Sequence, residues 1–252
     1  MVITYYGQSD VGRHRNGNED SILVGDDLFL VCDGMGGRKA GEVASRLAVT
    51  TIAEFRAHAE NGFDITWPFG VDPIASLEGN CLATAIKLAN RAIRHVASSS
   101  HDHTGMGTTV VAALVNQQRA SATYASVGDS RIYLIRGGGI SQLSRDDSWI
   151  NAALSAGAVE SPTLTAMRHV LTKALGTHDE LEFEVRTHEF HDGDTMLLCS
   201  DGLSNMLTDQ EMLAILVRRG SELEGAGREL IAAANEAGGR DNVSAVLVRY
   251  NG

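Results

Sequence analysis

The chain has 252 residues, 43% of them hydrophobic, with 3 prolines and a formal charge of −11 from 32 acidic against 21 basic side chains. That length carries one sizeable core, and no low-complexity stretch leaves room for a linker, so a single domain over 1–252 is expected. The acidity argues against a nucleic-acid backbone or an anionic membrane surface as the main partner. Cys32, Cys81 and Cys199 are odd in number and widely spaced, which suits neither a disulfide framework nor a zinc site and points to a reducing compartment. No apolar run approaches the ~20 residues of a membrane span. The opening MVITYYGQSD lacks the basic start and apolar core of a signal peptide, so a cytoplasmic location is expected.

In chain order, Val2 to Tyr6 is expected as a strand, and Gly7 to Asn18 as a polar loop carrying Arg13, His14 and Arg15. Ile22 to Val24 and Leu28 to Cys32, joined by Gly25-Asp26-Asp27, read as a hairpin. Asp20 lies just before its first strand and Asp33 just after its second, so an antiparallel pairing brings the two carboxylates to one edge. Like charges repel there unless a cation lies between them. The glycines Gly34, Gly36 and Gly37 follow Asp33 at once. A carboxylate at the end of a buried run, beside bare backbone, suits a metal ion held by carboxylate and carbonyl.

Ala40 to Ala59 has the period of an amphipathic helix, with Val43, Leu47, Ile52 and Phe55 apolar. Gly62 to Val71 is a loop. Asp72-Pro73 reads as the start of a second helix to about Ala97, with Leu82, Ile86, Ala89 and Ile93 on its apolar face. His95, His101 and His103 read as a solvated helix end, not a metal site. Gly107 to Val115 is rich in strand formers, and Ala120 to Val127 with Arg131 to Arg136 reads as a hairpin around Gly128-Asp129-Ser130. Gly137 to Gly139 is a turn. Asp146 or Asp147 can cap a helix through Trp149 and Leu154, after which the pattern weakens to a mobile surface segment near Gly157 to Met167.

Glu182 to Glu189 alternates like a half-exposed strand. Thr195 to Ser200 is a second buried run ending in Asp-Gly, at Asp201-Gly202, an echo of Asp33-Gly34. Thr208 to Glu211 matches a capping box, and a further helix spans roughly Ser221 to Ala237 before Gly238-Gly239. Arg240-Asp241-Asn242 then opens the strand Val243 to Val248. If the strands at Thr195 and Val243 are antiparallel, Asp201 and Asp241 share an edge too.

Asp20, Asp33, Asp201 and Asp241 are therefore candidates for one edge of a β core. Oxygen-only ligands select Mg²⁺ or Mn²⁺ over zinc or copper. Two such cations bridged by Asp33 can activate a water and clamp a phosphoryl group, and the fork of Arg15 can grip phosphate oxygens. The chemistry suggested is metal-assisted hydrolysis of a phosphate ester.

These residues carry a resemblance. RNGNEDS (Arg15 to Ser21), VCDGMGG (Val31 to Gly37), GTT (Gly107 to Thr109), GDSRIY (Gly128 to Tyr133), SDGL (Ser200 to Leu203) and RDNVSAVLV (Arg240 to Val248) stand in this order along almost the whole chain. In them the chain resembles the metal-dependent Ser/Thr protein phosphatases of the PPM, or protein phosphatase 2C, family, in its compact bacterial form. The resemblance implies an α+β fold, a four-layer αββα sandwich of two antiparallel sheets flanked by helices. It implies two Mn²⁺ or Mg²⁺ ions, with a weaker third. By similarity Asp33 bridges both metals, the Gly34 carbonyl binds one, and Asp201 and Asp241 bind the other. Glu19 and Asp20 hold metal-bound waters, Arg15 takes the substrate phosphate, and Asp129 with Asp201 holds the third ion. A flap at about 146–168 influences substrate access. The partners implied are phosphorylated proteins and a cognate Ser/Thr kinase, with a monomer expected. The alternative is a catalytically silent regulatory module; losing Asp33, Asp201 or Asp241 would favour it, and all three are present.

The chain departs from the family pattern at three places. Asn205 stands where many members carry Asp, which removes a charge from the third site. Met35 stands where some eukaryotic members have a His assigned as general acid. The flap lacks the acidic, proline-rich sequence common in bacterial relatives, which bears on substrate preference.

Overall fold

The computed structural model describes residues 2–36, 40–60, 66–159, 161, 164, 167 and 169–252. Among them the strands form two antiparallel sheets. The first runs β1 (Val2–Asp10), β11 (Val243–Asn251), β10 (Thr195–Cys199), β7 (Arg131–Arg136) and β8 (Gly139–Gln142). The second runs β2 (Asp20–Val24), β3 (Leu28–Met35), β5 (Val110–Asn116), β6 (Ser121–Val127) and β9 (Val185–Glu189), with β4 (Gly107–Thr108) paired to the end of β3.

The unbroken apolar runs are explained by burial on both faces. From β3, Phe29 and Val31 point into the space between the sheets, where they meet Met196, Leu198, Val246 and Val248. Leu28, Leu30 and Cys32 point the other way, onto α1 (Ala40–Glu60) and α2 (Leu77–Ser99). On the far side Leu197, Cys199, Ala245 and Leu247 pack against α5 (Asp209–Arg219) and α6 (Leu223–Glu236). Three apolar interfaces between four layers give the αββα sandwich. The two short helices α3 (Trp149–Ser155) and α4 (Asp201–Ser204) lie in connections. All three cysteines are buried free thiols.

Several boundaries differ from the sequence reading, each for a local reason. β1 continues past Tyr6 to Asp10, because β11 pairs with it as far as Asp10↔Val243. The second helix begins at Leu77, where Ser76 Oγ accepts from the Gly79 N–H at 3.0 Å. Asp72 instead accepts from the Ile74 N–H in the preceding turn. The cap of α3 is Ser148, not Asp146 or Asp147. On α1 the fully buried stripe is Ala40, Ala44, Ala48 and Ile52, with Val43, Leu47 and Phe55 partly buried beside it. Small side chains let α1 lie close to the sheet and to α2.

The largest correction concerns Gly128-Asp129-Ser130. Its flanking strands are not a hairpin: β6 pairs with β5 and β9, whereas β7 pairs with β10 and β8. The chain crosses there from one sheet to the other. Gly128 has φ +101°, and a Cβ on it would meet Thr109 Cγ2 at 2.6 Å, so no side chain fits the crossing. The turn expected at Gly137 to Gly139 leads directly into β8, a short strand whose four mostly exposed residues carry no apolar pattern.

Candidate metal centre

The hairpin β2–β3 sets the first half of the site. Its register makes Asp20 and Asp33 direct cross-strand partners, as their positions at the strand ends required. Asp20 is buried. Its Oδ2 accepts from Ser244 Oγ at 2.6 Å, while Oδ1 finds no hydrogen-bond partner among the described residues. Burial, opposed by Ser244 and Ser200 and reinforced by Asp201 and Asp241, pushes the Asp20 carboxyl up to about 7.

Asp33 is held through its backbone. Its N–H donates to Thr109 Oγ1 at 3.0 Å, and its carbonyl accepts from the Thr109 N–H and Thr108 Oγ1, each at 2.8 Å. Thr109 Oγ1 in turn meets Ser130 Oγ at 2.7 Å. Burial raises the Asp33 carboxyl well above the carboxylate range, with Asp20, Asp201, Asp129 and Asp241 adding to it.

Gly34 allows a close backbone approach: a Cβ there would stand 2.1 Å from the Gly41 carbonyl oxygen and 2.6 Å from that of Glu19. The Gly34 N–H donates to the same Glu19 carbonyl at 3.1 Å, and Ser45 Oγ on α1 donates to it at 2.6 Å. The Glu19 side chain lies at Gly41 in the first turn of α1. Burial, then Asp241 and Glu42, raise its pKa against the pull of Arg15.

The second half comes from β10 and β11, antiparallel with Cys199↔Ala245 in register. Asp201 follows the first and Asp241 precedes the second, so both reach the shared edge. Burial and then Asp241 raise the Asp201 carboxyl, while a hydrogen bond with Asp33 and the nearness of His169 and Arg15 lower it. Asn205 Nδ2 donates to Asp201 Oδ2 at 3.0 Å. Arg15 reaches over from its loop to Asp241 Oδ2 at 2.6 Å, its own side chain 51% exposed. Asp129 sits at the crossing between the sheets, pushed up to about 7 by burial and then by Asp201 and Asp146.

The carboxylates thus share one polar edge and raise one another's proton affinity. Such an edge is costly with no cation. The orphaned Asp20 Oδ1, the bare Gly34 backbone and an all-oxygen donor set fit a hard divalent ion. Among the described residues no three acidic, His or Cys side chains close into a ready-made cage. Ions that keep several of their waters, as Mg²⁺ does, suit an open arrangement of this kind.

Gly37, quoted in the glycine motif, lies outside the described residues, as do 160, 162, 163, 165, 166 and 168 of the flap segment. The base of that segment is described: the Trp149 N–H donates to the Val170 carbonyl and the Thr172 N–H to that of Asp147, both at 2.8 Å. Reading the sequence missed the supporting groups Ser244, Ser130 and Asn242, and the nearness of His169. Single hydroxyls, amides and imidazoles carry no periodic signal. Only the GTT motif hinted at Thr109.

A model of the family described as Protein phosphatase 2C matches residues 16–237. The chain belongs to the protein phosphatase 2C family. Curated relatives that it matches are named as serine/threonine phosphatases. Curated relatives include the serine/threonine protein phosphatase PstP of Mycobacterium tuberculosis, 34% identical over 98% of this chain, and the serine/threonine phosphatase stp of Listeria welshimeri, 35% identical over 97%. The chain spans 45% of the length of the first and 94% of the second.

Among solved structures, M. tuberculosis PstP/Ppp superposes with a TM-score of 0.85 at 33% identity, covering 100% of both chains. The PstP catalytic domain in complex with 2 manganese ions gives 0.82 at 34% identity, covering 100% of this chain and 99% of that one. This protein phosphatase 2C chain therefore has the family's αββα fold, as its sequence motifs implied. Among the described residues, no helix is long and apolar enough to cross a membrane.

Proposed function

We propose that this chain hydrolyses phosphoserine and phosphothreonine on proteins by direct attack of a metal-held water, with the edge described above as its active site. The observation that carries the reading is the cross-strand pair Asp20↔Asp33 set against Asp201 and Asp241. Two Mn²⁺ or Mg²⁺ ions bound there would supply an acidified water and neutralise charge on a phosphoryl group. Asp33 and the Gly34 carbonyl would help to hold these ions, together with Asp201 and Asp241. Glu19 and Asp20 would hold their waters. Asp129, with Asp201, offers a third and weaker site, since Asn205 brings an amide where a carboxylate would add charge.

Arg15 binds the substrate phosphate. Asp241 keeps its guanidinium over the site, and half of the side chain remains open to an incoming ligand. Residues 1–252 work as one catalytic unit, monomeric and cytoplasmic, with 146–168 as the flap, opposing a cellular Ser/Thr kinase. The test is release of phosphate from p-nitrophenyl phosphate and a phosphothreonine peptide with Mn²⁺ or Mg²⁺, with and without chelator. Metal-dependent release from the peptide is expected. No release under any metal condition would sink the reading and favour a silent module on the same fold.

A further inference from the structure

We propose that Asn242 is a positioning residue for phosphate binding: its side chain holds the 11–19 loop so that Arg15 stands over the site. The inference rests on the role proposed above for Arg15. Asn242 is 4% exposed, and both ends of its amide are used on that one loop. Nδ2 donates to the Val11 and Gly17 carbonyls, each at 2.9 Å. Oδ1 accepts from the Glu19 N–H at 2.8 Å. The bonds fix the orientation of the amide, because a flipped amide would set its oxygen against two carbonyls.

Three points of attachment span the loop from its start to the residue before β2, and Arg15 lies between the first two. The same strand-opening segment presses on the loop elsewhere. The Arg13 N–H donates to the Gly239 carbonyl at 2.7 Å. Gly12, at φ +80°, lies so close that a Cβ would stand 2.1 Å from the Asp241 carbonyl oxygen. Asn242 is itself fixed, since Gly202 leaves only 1.9 Å between a hypothetical Cβ and the Asn242 carbonyl oxygen. One buried side chain therefore ties the phosphate-gripping arm to the segment bearing Asp241, the ion-pair partner of Arg15.

A loop of nine residues with no strand or helix of its own would otherwise sample many positions. Holding a binding group in place before substrate arrives lowers the entropy lost on binding. Asn242 touches no substrate in this scheme; it acts through the loop.

The test is a double-mutant cycle between Asn242→Ala and Arg15→Ala, read as KM and kcat on a phosphothreonine peptide with Mn²⁺. Asn242→Ala is expected to raise KM about tenfold with a smaller change in kcat. The double variant is expected to match Arg15→Ala alone, because a misplaced arm and a missing one are equivalent. Asn80→Ala removes a comparably buried asparagine in the first turn of α2 that pins Asp72 in the turn before it and controls for general destabilisation; its KM should stay at the wild-type value.

Additive losses in the cycle, or a wild-type KM for Asn242→Ala, would overturn the proposal. If Asn242→Ala does not fold, Asn242→Asp, which keeps the shape and the acceptor but loses both donors, is read in the same cycle. Failure of both to fold would also overturn it, making Asn242 a general structural pin. An unchanged KM for Arg15→Ala alone would instead refute the role of Arg15 itself.

Discussion

Each carboxylate of the site is an ordinary side chain in a costly place. Asp33 is the most enclosed by like charge, with Asp20, Asp201, Asp129 and Asp241 all raising its pKa. Asp33→Asn should keep the shape and remove the charge that a bridging role requires. Its kcat should fall at least ~100-fold, and the rise in melting temperature on adding Mn²⁺ should shrink, since a ion that binds only the folded state stabilises it. A wild-type rate would show that Asp33 bridges nothing. Arg15→Ala should raise KM by about 10–100-fold, the equivalent of a charged hydrogen bond of roughly 1.5–3 kcal/mol, with little effect on kcat. Asn205 donates to Asp201, so Asn205→Asp exchanges a donor for a second negative charge. The Mn²⁺ concentration giving half-maximal activity should then fall severalfold if a third ion contributes to rate; an unchanged titration would remove that site from the reaction.

Among the elements, strand ends matter more than strand middles. The interiors of β3, β10 and β11 build the core, whereas their termini deliver Asp33, Asp201 and Asp241. Thr109, between β4 and β5, joins these tasks by binding the Asp33 N–H and Ser130 together. Thr109→Val keeps its volume and leaves those groups unpaired. It should cost about 1–3 kcal/mol in chemical denaturation and lower kcat with it; wild-type values for both would mean that Asp33 needs no such support. The paired strand ends around Asp20 and Asp33 were readable from the sequence, because two apolar runs with a short polar turn leave one register that buries both. The crossing at Asp129 was not. A hairpin and a passage between sheets use the same Gly-Asp-Ser turn chemistry, and only the partners of β6 and β7 distinguish them.

At the scale of the molecule, the acidic edge links stability to pH. Asp20 and Asp129 are both raised from 3.8 to about 7. Between those values the folded state holds protons that the unfolded chain has released, so their contribution is full below the unfolded pKa and is lost as pH rises to about 7. In chelator, the melting temperature should therefore drop from pH 5 to pH 8, by less in Asp20→Asn. Added Mn²⁺, which binds the ionised form, should stabilise most at the alkaline end. A flat chelated profile, or the same slope in Asp20→Asn, would show that these carboxyls are not carrying the linkage.

From the sequence alone came the buried strands and the acidic edge, because burial on both faces of a strand writes a continuous apolar run and a buried carboxylate at its end needs a compensating charge; the four layers came through the family resemblance of its motifs. Tertiary structure alone decided the crossing at Gly128, the long pairing of β1 with β11, and the holding of the Arg15 loop by Asn242. Those features depend on hydrogen bonds between groups as much as 249 residues apart. No local period in the chain records such partners, since a buried amide or hydroxyl finds them only once the sheets have packed.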